Sequence, residues 1–269
     1  MTLFDSGIRP AIDDHLLALS KEKRDYGDYW SASSAGYCQR KVMFERLGVP
    51  YVETEADARK QRIFTSGHLF HAWMQGITKE AGLSIASEVE LQDEDLMVRG
   101  HFDDLVLVND NLILYDYKTV NSQSFKYKKD TMSYFHRLQL GTYMYMLKDI
   151  FNKLDESMTE LYPITKMSWK GGKPELNESR ILYISKDDLR MAELQLFWDA
   201  ELEKDVLDYW NSLNVHWKAR TWPECTCADH ENGFMAKEKW NPYFYDGEPC
   251  SMKWYLKFKE NSNVRQEVA

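Results

Sequence analysis

The sequence predicts an α/β fold in which helices flank a mixed central sheet. Segments with apolar residues at helical spacing stand on both sides of a central region that is rich in β-branched residues. Residues 109–111 of that region read Asn-Asp-Asn, which is typical of a hairpin turn. Both faces of the predicted hairpin are apolar, as in sheets that are covered on two sides. The 269 residues, 43% of them hydrophobic, suffice for a large core.

The N-terminal part of the chain is predicted to be helical. Helices are predicted over residues 12–23, 35–47 and 64–81. Ser33 or Ser34 can cap the second of these helices, and Gly82 ends the third. Residues 1–30 are assigned to an N-terminal extension, which lacks the basic and apolar regions of a secretory signal.

The rest of the chain alternates between the apolar spacing of strands and that of helices, and its C-terminal part shows neither spacing. Strands are predicted over residues 85–91, 96–108, 112–120 and 180–184, and helices over 133–151 and 189–213. Beyond Trp217 the chain is rich in aromatic residues, Pro, Gly and Cys. We therefore predict a core over residues 31–215 and a cysteine-bearing C-terminal lobe over 216–269.

Charge and hydropathy exclude some classes of protein. The net charge of −9 argues against a protein that mainly coats nucleic acid, but it is compatible with an enzyme that uses carboxylates and a metal on nucleic acid. No apolar run approaches the roughly 18 residues of a membrane helix, so no membrane partner is expected. The expected location is the cytoplasm, and four cysteines are too few for a disulfide scaffold.

The central hairpin brings charged residues together. If Asn109 and Asp110 form a two-residue loop, Asp103 lies directly opposite Asp116, with Cβ atoms about 5 Å apart. Lys118 shares their face of the sheet. Two buried carboxylates repel each other, and a divalent cation such as Mg²⁺ or Mn²⁺ removes that conflict. A structural ion pair between Asp103 and Lys118 is the alternative, although it leaves one acid unpaired.

Four motifs in this order resemble the PD-(D/E)XK nuclease superfamily, in its RecB-like branch. They are Gly67-His68-Leu69-Phe70-His71, Gly100-His101-Phe102-Asp103, Asp116-Tyr117-Lys118 and Gln139-Leu140-Gly141-Thr142-Tyr143. The resemblance implies a restriction-endonuclease-like core. It also implies that His71, Asp103, Asp116 and the carbonyl of Tyr117 bind Mg²⁺ or Mn²⁺, with Lys118 as the catalytic lysine. Gln139 and Tyr143 would position the DNA strand or support the site.

The four cysteines extend this resemblance. Cys38 lies in a segment, Ser34-Ala35-Gly36-Tyr37-Cys38-Gln39-Arg40-Lys41, that is similar to the N-terminal motif of superfamily members with an iron–sulfur cluster. With Cys225, Cys227 and Cys250, it would hold a [4Fe–4S] cluster and tie the C-terminal lobe back to the N-terminal helix. The single residue between Cys225 and Cys227 departs from the usual two. A zinc site that includes His230, or four free cysteines, stay open as alternatives.

The implied function is metal-dependent hydrolysis of DNA, as an exonuclease on single strands or DNA ends. Lys126, Lys128 and Lys129 alternate with aromatic residues after the second strand of the hairpin, a pattern suited to single-stranded DNA or to a solvated loop. The alternatives are an endonuclease that trims DNA for CRISPR adaptation, a non-catalytic subunit that binds DNA ends, and a redox-sensing iron–sulfur protein. Homo-oligomers and recombination or CRISPR partner proteins are compatible with the resemblance.

Overall fold

The computed structural model describes residues 7–19, 27–52, 58–109, 111–153, 175–227 and 241–261. The helices within these ranges are α1 (Ile8–Leu19), α2 (Gln39–Arg46), α3 (Ala58–Glu80), α4 (Ser122–Lys128), α5 (Tyr134–Lys153), α6 (Ala200–Ala219) and α7 (Met252–Asn261). The strands are β1 (Trp30–Ser31), β2 (Ser84–Ser87), β3 (Glu90–Asp93), β4 (Val98–His101), β5 (Asp104–Val108), β6 (Asn111–Val120), β7 (Glu178–Ser185) and β8 (Met191–Phe197). None of the described helices is long and apolar enough to cross a lipid bilayer.

The central sheet is mixed and is covered on both faces, as predicted. Its strand order is β2-β5-β6-β7-β8, with β6 parallel to β7 and the other pairs antiparallel. On one face, Met74 of α3 packs with Tyr117 and Leu182. On the other face, the main core includes Leu114 of β6 and Leu138 of α5. A smaller sheet, with the order β1-β4-β3, adjoins this core.

The hairpin register predicted from the sequence is confirmed. Val108 pairs with Asn111, and Asp104 pairs with Tyr115. Asp103 directly precedes β5 and therefore continues this register towards Asp116. The single strand predicted over residues 96–108 is wrong, because β4 and β5 belong to different sheets. The chain passes between the two sheets at Phe102 and Asp103, so Asp103 lies at the start of β5.

The helix predicted over residues 189–213 is wrong in its first part. The structure has strand β8 there, followed by α6 from Ala200. The residues of β8 alternate between more exposed and less exposed, and Ala192, Leu194 and Leu196 pack against the core. Ala, Glu, Leu and Gln favour helices, but antiparallel pairing with β7 buries one side of this segment as a strand.

Several helix boundaries also differ from the prediction. A 3₁₀ turn over Ala32–Ser34 precedes α2, which begins at Gln39 with Cys38 at its N-cap, so the cap predicted at Ser33 or Ser34 is wrong. Helix α1 begins before the predicted position, and α3 begins two turns before it. An ion pair between Asp13 and Arg62 joins these two helices and supports the early start of α3.

A second, separate cluster of apolar residues surrounds the cysteines. Phe44 of α2 stacks on Tyr255 of α7 and makes edge contacts with Trp222 and Tyr243. The described C-terminal residues therefore pack against α2. The division of the chain at residues 30 and 215 stays a prediction.

Candidate active site

Asp103 and His71 meet beside the edge of the central sheet. The Tyr117 backbone N–H donates a 2.6 Å hydrogen bond to Asp103 Oδ2, and His71 Nδ1 lies 3.4 Å from the same oxygen. Burial by itself would raise the pKa of Asp103, but the contact with His71 and the charge of Lys118 hold that pKa below its usual value. Burial would lower the pKa of His71, whereas Asp103 raises it above its usual value.

Asp116 and Lys118 form a buried pair on β6. Lys118 Nζ donates a 2.8 Å hydrogen bond to Asp116 Oδ1. Burial and the nearby Asp103 together raise the pKa of Asp116 to about 6, although Lys118 acts in the opposite direction. Burial would lower the pKa of Lys118, but the two carboxylates raise it, so the ammonium stays charged. The alternative pair between Asp103 and Lys118 is not the one that forms, since Lys118 bonds to Asp116.

The structure adds an acid that the sequence reasoning missed. Ligand atoms of His71, Glu88 and Asp103 all lie within 4.8 Å of one another. Gln75 Nε2 donates to Glu88 Oε1 at 2.8 Å and to the Asp103 carbonyl at 3.0 Å, which fixes these two acidic residues relative to each other. Glu88 follows β2 with a φ of +55°, a turn that the sequence pattern did not indicate.

These residues fit a divalent cation. Within the described part of the chain, Asp116 Oδ2 is buried and has no hydrogen-bond partner, although a buried carboxylate oxygen normally has one. Carboxylate oxygens are the ligands that Mg²⁺ and Mn²⁺ prefer. Asp104, by contrast, is satisfied as a structural residue, because it accepts hydrogen bonds from Thr78, Ser84 and Tyr117 hydroxyls at 2.6, 2.6 and 2.9 Å.

The glycines of the first two motifs have different surroundings. A Cβ on Gly100 would lie 2.8 Å from Tyr143 Oη and 2.8 Å from Ala32 Cβ. Gly100 therefore lets β4 approach α5, and the motifs that contain Gly100 and Tyr143 are in contact. A Cβ on Gly67 would lie 3.5 Å from Thr119 Oγ1, which is ordinary van der Waals contact. Gln139, one turn before Tyr143, lines a pocket that Lys118 also lines.

The three candidate DNA-binding lysines lie at the end of α4. Lys126 and Lys129 are exposed, and Lys129 is 3.3 Å from Asp130. Lys128 is half-buried, with its Nζ 5.5 Å from the centre of the Phe135 ring. The segment is therefore a short helix that is anchored by buried Phe125, and Lys128 is the lysine that it turns towards α5.

The four cysteines meet, although they are distant in the sequence. The sulfur atoms of Cys38, Cys225, Cys227 and Cys250 all lie within 4.8 Å of one another. Cys38 Sγ is 3.9 Å from Cys225 Sγ, and Cys227 Sγ is 3.5 Å from Cys250 Sγ. His230, the other residue of the zinc alternative, lies outside the described residues.

The sulfur spacing tests which group fits the four cysteines. Around one tetrahedral ion with Zn–S bonds of about 2.3 Å, neighbouring sulfurs are roughly 3.8 Å apart. The observed spacing matches that arrangement, whereas four irons between the sulfurs would require them to spread. Asn241 Nδ2 lies 3.5 Å from Cys227 Sγ and 3.4 Å from Cys250 Sγ, as expected for a donor that stabilises thiolates. The site can hold a metal ion or an iron–sulfur cluster.

Comparison with known proteins gives the family. The sequence profile of the PD-(D/E)XK nuclease superfamily matches residues 78–229, which is more than half of the chain and includes the hairpin. The chain belongs to this superfamily of nucleases, as its motifs predicted. The match begins after His71 and does not include Cys38. No curated protein matches the sequence.

Solved structures provide weaker similarities. The structure of the protein SSO0001 has a TM-score of 0.45 and 13% identity, and the alignment covers 79% of this chain and 86% of that one. An alkaline exonuclease from Laribacter hongkongensis has a TM-score of 0.37 and 14% identity, with 76% and 93% covered. The same exonuclease in complex with dAMP has a TM-score of 0.35 and 14% identity, with 71% and 90% covered.

Proposed function

We propose that this nuclease is a metal-dependent exonuclease that hydrolyses the phosphodiester bonds of DNA, on single strands or at DNA ends. The observation that carries the proposal is the buried Asp116 Oδ2, which lies beside Asp103 and Lys118 and has no hydrogen-bond partner among the residues that the structure describes. A binding subunit has no use for an acid whose second oxygen is left without a partner.

The cation would be held by residues from several elements. His71 of α3, Asp103 before β5 and Glu88 have ligand atoms within 4.8 Å of one another and would bind it, and Asp116 of β6, which lies opposite Asp103 in the hairpin register, would complete the set. The carbonyl of Tyr117 is a further candidate from the motif. When bound, Mg²⁺ or Mn²⁺ would supply Lewis-acid stabilisation of the phosphate and would lower the pKa of a water molecule.

The protein side chains account for the other requirements of hydrolysis. Lys118 stays protonated beside Asp116, so its ammonium group can counter the negative charge that develops on phosphorus. The Tyr117 N–H holds Asp103 in place through its 2.6 Å hydrogen bond. Gln139 lies next to Lys118 in the same pocket and would position the DNA strand, while Tyr143 supports β4. Lys126, Lys128 and Lys129 would contact phosphates further along the strand.

Cleavage of end-labelled DNA tests this function. Single-stranded and double-stranded substrates, labelled at the 5′ or the 3′ end, would be incubated with the protein and Mn²⁺ or Mg²⁺. Wild-type protein should degrade DNA, and Lys118→Ala should lose at least a hundredfold in rate, because electrostatic groups of this kind contribute on the order of 10²–10³. Lys204→Ala is the matched control, since that lysine is exposed on α6 and contacts only Asp208 among the described residues.

Tests with different DNA substrates distinguish an exonuclease from an endonuclease and from a binding subunit. An exonuclease releases mononucleotides or short products from the labelled end and leaves covalently closed single-stranded circles intact. Cutting of the circles would instead favour the endonuclease. No cutting of any substrate with either metal, in folded protein that contains its cysteine-bound group, would favour the binding subunit and refute the proposal.

We further propose that the four-cysteine site is a structural metal centre. The resemblance to cluster-containing relatives favours [4Fe–4S], while the sulfur spacing favours one tetrahedral ion such as Zn²⁺. Metal analysis and the visible spectrum of anaerobically purified protein separate these cases. One zinc without visible absorption identifies the single ion, and about four irons with broad absorption near 400 nm, typical of iron–sulfur proteins, identify the cluster. Protein without any bound metal would refute the structural role.

A further inference from the structure

A pocket of about 430 Å³ opens beside Lys118. The segment before α2, together with α2, supplies Ser34, Tyr37 and Lys41, and α5 supplies Phe135, His136 and Gln139. Ligand pockets have volumes of roughly 300–1,000 Å³, so this one is at the small end of the range. It has room for one nucleotide and none for a double helix.

One wall of this pocket consists of two aromatic rings whose distance from each other is fixed by close packing of the backbone. The rings of Tyr37 and Phe135 are stacked, with centres 5.3 Å apart and planes 21° apart. Gly36 has a φ of +77°, and a Cβ there would lie 2.7 Å from Phe135 Cα. Only glycine therefore allows this approach of the two chain segments. Lys41 and Lys128 lie over the two rings, and Lys41 is paired at 2.6 Å with Glu45, which also lines the pocket, so Lys128 is the lysine of this wall that can attract a phosphate-bearing ligand.

His136 is a buried polar residue of α5 that lines this pocket and that the mechanism has not used. It is buried, and its Nδ1 lies 2.6 Å from the Tyr183 hydroxyl. Tyr183 pairs with Lys118 across β6 and β7, so its side chain lies next to that of Lys118 on the same face of the sheet. Burial, together with Lys118 and Lys128, lowers the pKa of His136 well below its usual value, and the ring is neutral.

The hydrogen bond to Tyr183 determines which nitrogen of His136 carries the proton. Burial raises the pKa of Tyr183, so its hydroxyl keeps its hydrogen. A buried O–H requires an acceptor, and both His136 Nδ1 and Ser133 interact with this hydroxyl. When Nδ1 accepts the hydrogen of Tyr183, the hydrogen of the neutral ring is on Nε2. The ring thus keeps one N–H donor for the pocket.

We infer that this pocket is a subsite for the nucleotide next to the scissile phosphate of one DNA strand, and that His136 donates its Nε2–H to a phosphate oxygen of that nucleotide. Tyr183 is the positioning residue that holds the donor tautomer. The inference rests on the proposed function for the identity of the substrate. A neutral hydrogen-bond donor is suitable beside this phosphate, because Lys118 already supplies the positive charge.

Binding in the absence of catalysis tests the subsite. A fluorescein-labelled oligothymidylate would be titrated in EDTA, with anisotropy as the readout, and free thymidine 5′-monophosphate would serve as competitor. His136→Leu should raise both the Kd of the oligonucleotide and the inhibition constant of the nucleotide about tenfold, as expected for a lost hydrogen bond to a charged group. His136→Gln, which keeps an N–H donor, should recover most of this loss. His15→Leu, at an exposed position of α1, is the matched control.

The tautomer provides a readout that a purely structural histidine would not give. NMR of protein with ¹⁵N-labelled histidine should show His136 protonated at Nε2, and Tyr183→Phe should convert it to a mixture of tautomers and weaken binding about threefold. In cleavage assays, both variants should raise KM more than they lower kcat. Tyr183→Phe preserves the ring, so it tests the inference even if His136→Leu does not fold.

The outcomes separate the subsite from the function. If wild type cuts DNA and His136→Leu binds it as tightly as wild type, the subsite is refuted and the nuclease proposal stands. If wild type does not cut, but binding still depends on His136, the nuclease proposal fails and the subsite remains. Protonation of His136 at Nδ1 in the wild type would overturn the role of Tyr183.

Discussion

The two motif glycines should respond in opposite ways to the same substitution. Gly100→Ala places a Cβ 2.8 Å from both Tyr143 Oη and Ala32 Cβ, contacts that real Cβ atoms essentially never make. Gly67→Ala places it 3.5 Å from Thr119 Oγ1, in ordinary contact. Neither glycine has a positive φ, so the difference comes from space and not from backbone strain.

The expected magnitudes follow from these distances. Overpacking in a core costs about 1–3 kcal/mol, so Gly100→Ala should lower the free energy of unfolding by that amount. For a chain of this size, each kcal/mol corresponds to about 2–4 °C in Tm. Gly67 lies inside α3, where alanine is up to about 1 kcal/mol more favourable than glycine, so Gly67→Ala should be neutral or stabilising.

Urea unfolding followed by circular dichroism and tryptophan fluorescence measures both variants. Removing the Tyr143 hydroxyl should relieve part of the clash, so the double variant with Gly100→Ala and Tyr143→Phe should be more stable than the sum of the single effects by at least about 0.5 kcal/mol. Equal stability of Gly100→Ala and wild type, or equal damage from both alanine substitutions, would refute the packing argument.

Three further predictions concern other parts of the molecule. Because burial raises the pKa of Asp116 to about 6, the metal-free folded protein binds the proton of this carboxyl group more tightly than the unfolded chain does. The protonated carboxyl group therefore stabilises the folded state below about pH 4, and this stabilisation is lost as pH rises through about 6. Urea midpoints measured across this pH range should lack the dependence in Asp116→Asn. Cys250→Ser should lower the metal content and expose α7 to limited proteolysis; unchanged metal content would contradict the four-cysteine centre. The Arg46 guanidinium lies 4.1 and 4.2 Å from the Trp30 and Trp217 ring centres, so Arg46→Lys should cost about 1–2 kcal/mol in thermal unfolding, and no loss would count against this packing.

The hairpin was predictable because its geometry is local. A two-residue loop and the alternation of a strand determine which residues face each other, so the position of Asp103 relative to Asp116 followed from counting along the sequence. The order of the four motifs likewise identified the superfamily. The gathering of Cys38 with three cysteines of the C-terminal part was expected from the resemblance, and the structure brings them together.

The parts that were missed depend on contacts between distant segments. Strand β8 has the composition of a helix, and only its pairing with β7 makes it a strand. No spacing in the sequence distinguishes Glu88 from Glu90 as a partner of His71. The structure assigns Glu88 to His71 and pairs Glu90 with Arg99 at 2.8 Å, because the turn at residue 88 directs the two side chains differently.

The cysteine centre also affects the order in which parts of the site can form while the chain is being synthesised. Cys38 directly precedes α2, whose residue Lys41 lines the pocket beside Lys118, and Cys250 leaves the ribosome more than two hundred residues later. The hairpin can form as soon as residues 103–118 have emerged, because its pairing is local. The pocket wall that precedes α2 packs on Phe135 and accepts hydrogen bonds from Tyr209, and Cys250 adds the last residue of the cysteine centre beside it. A growing chain therefore has its acidic cluster early and the complete pocket late, so the proposed cleavage of DNA would begin only when the protein is made.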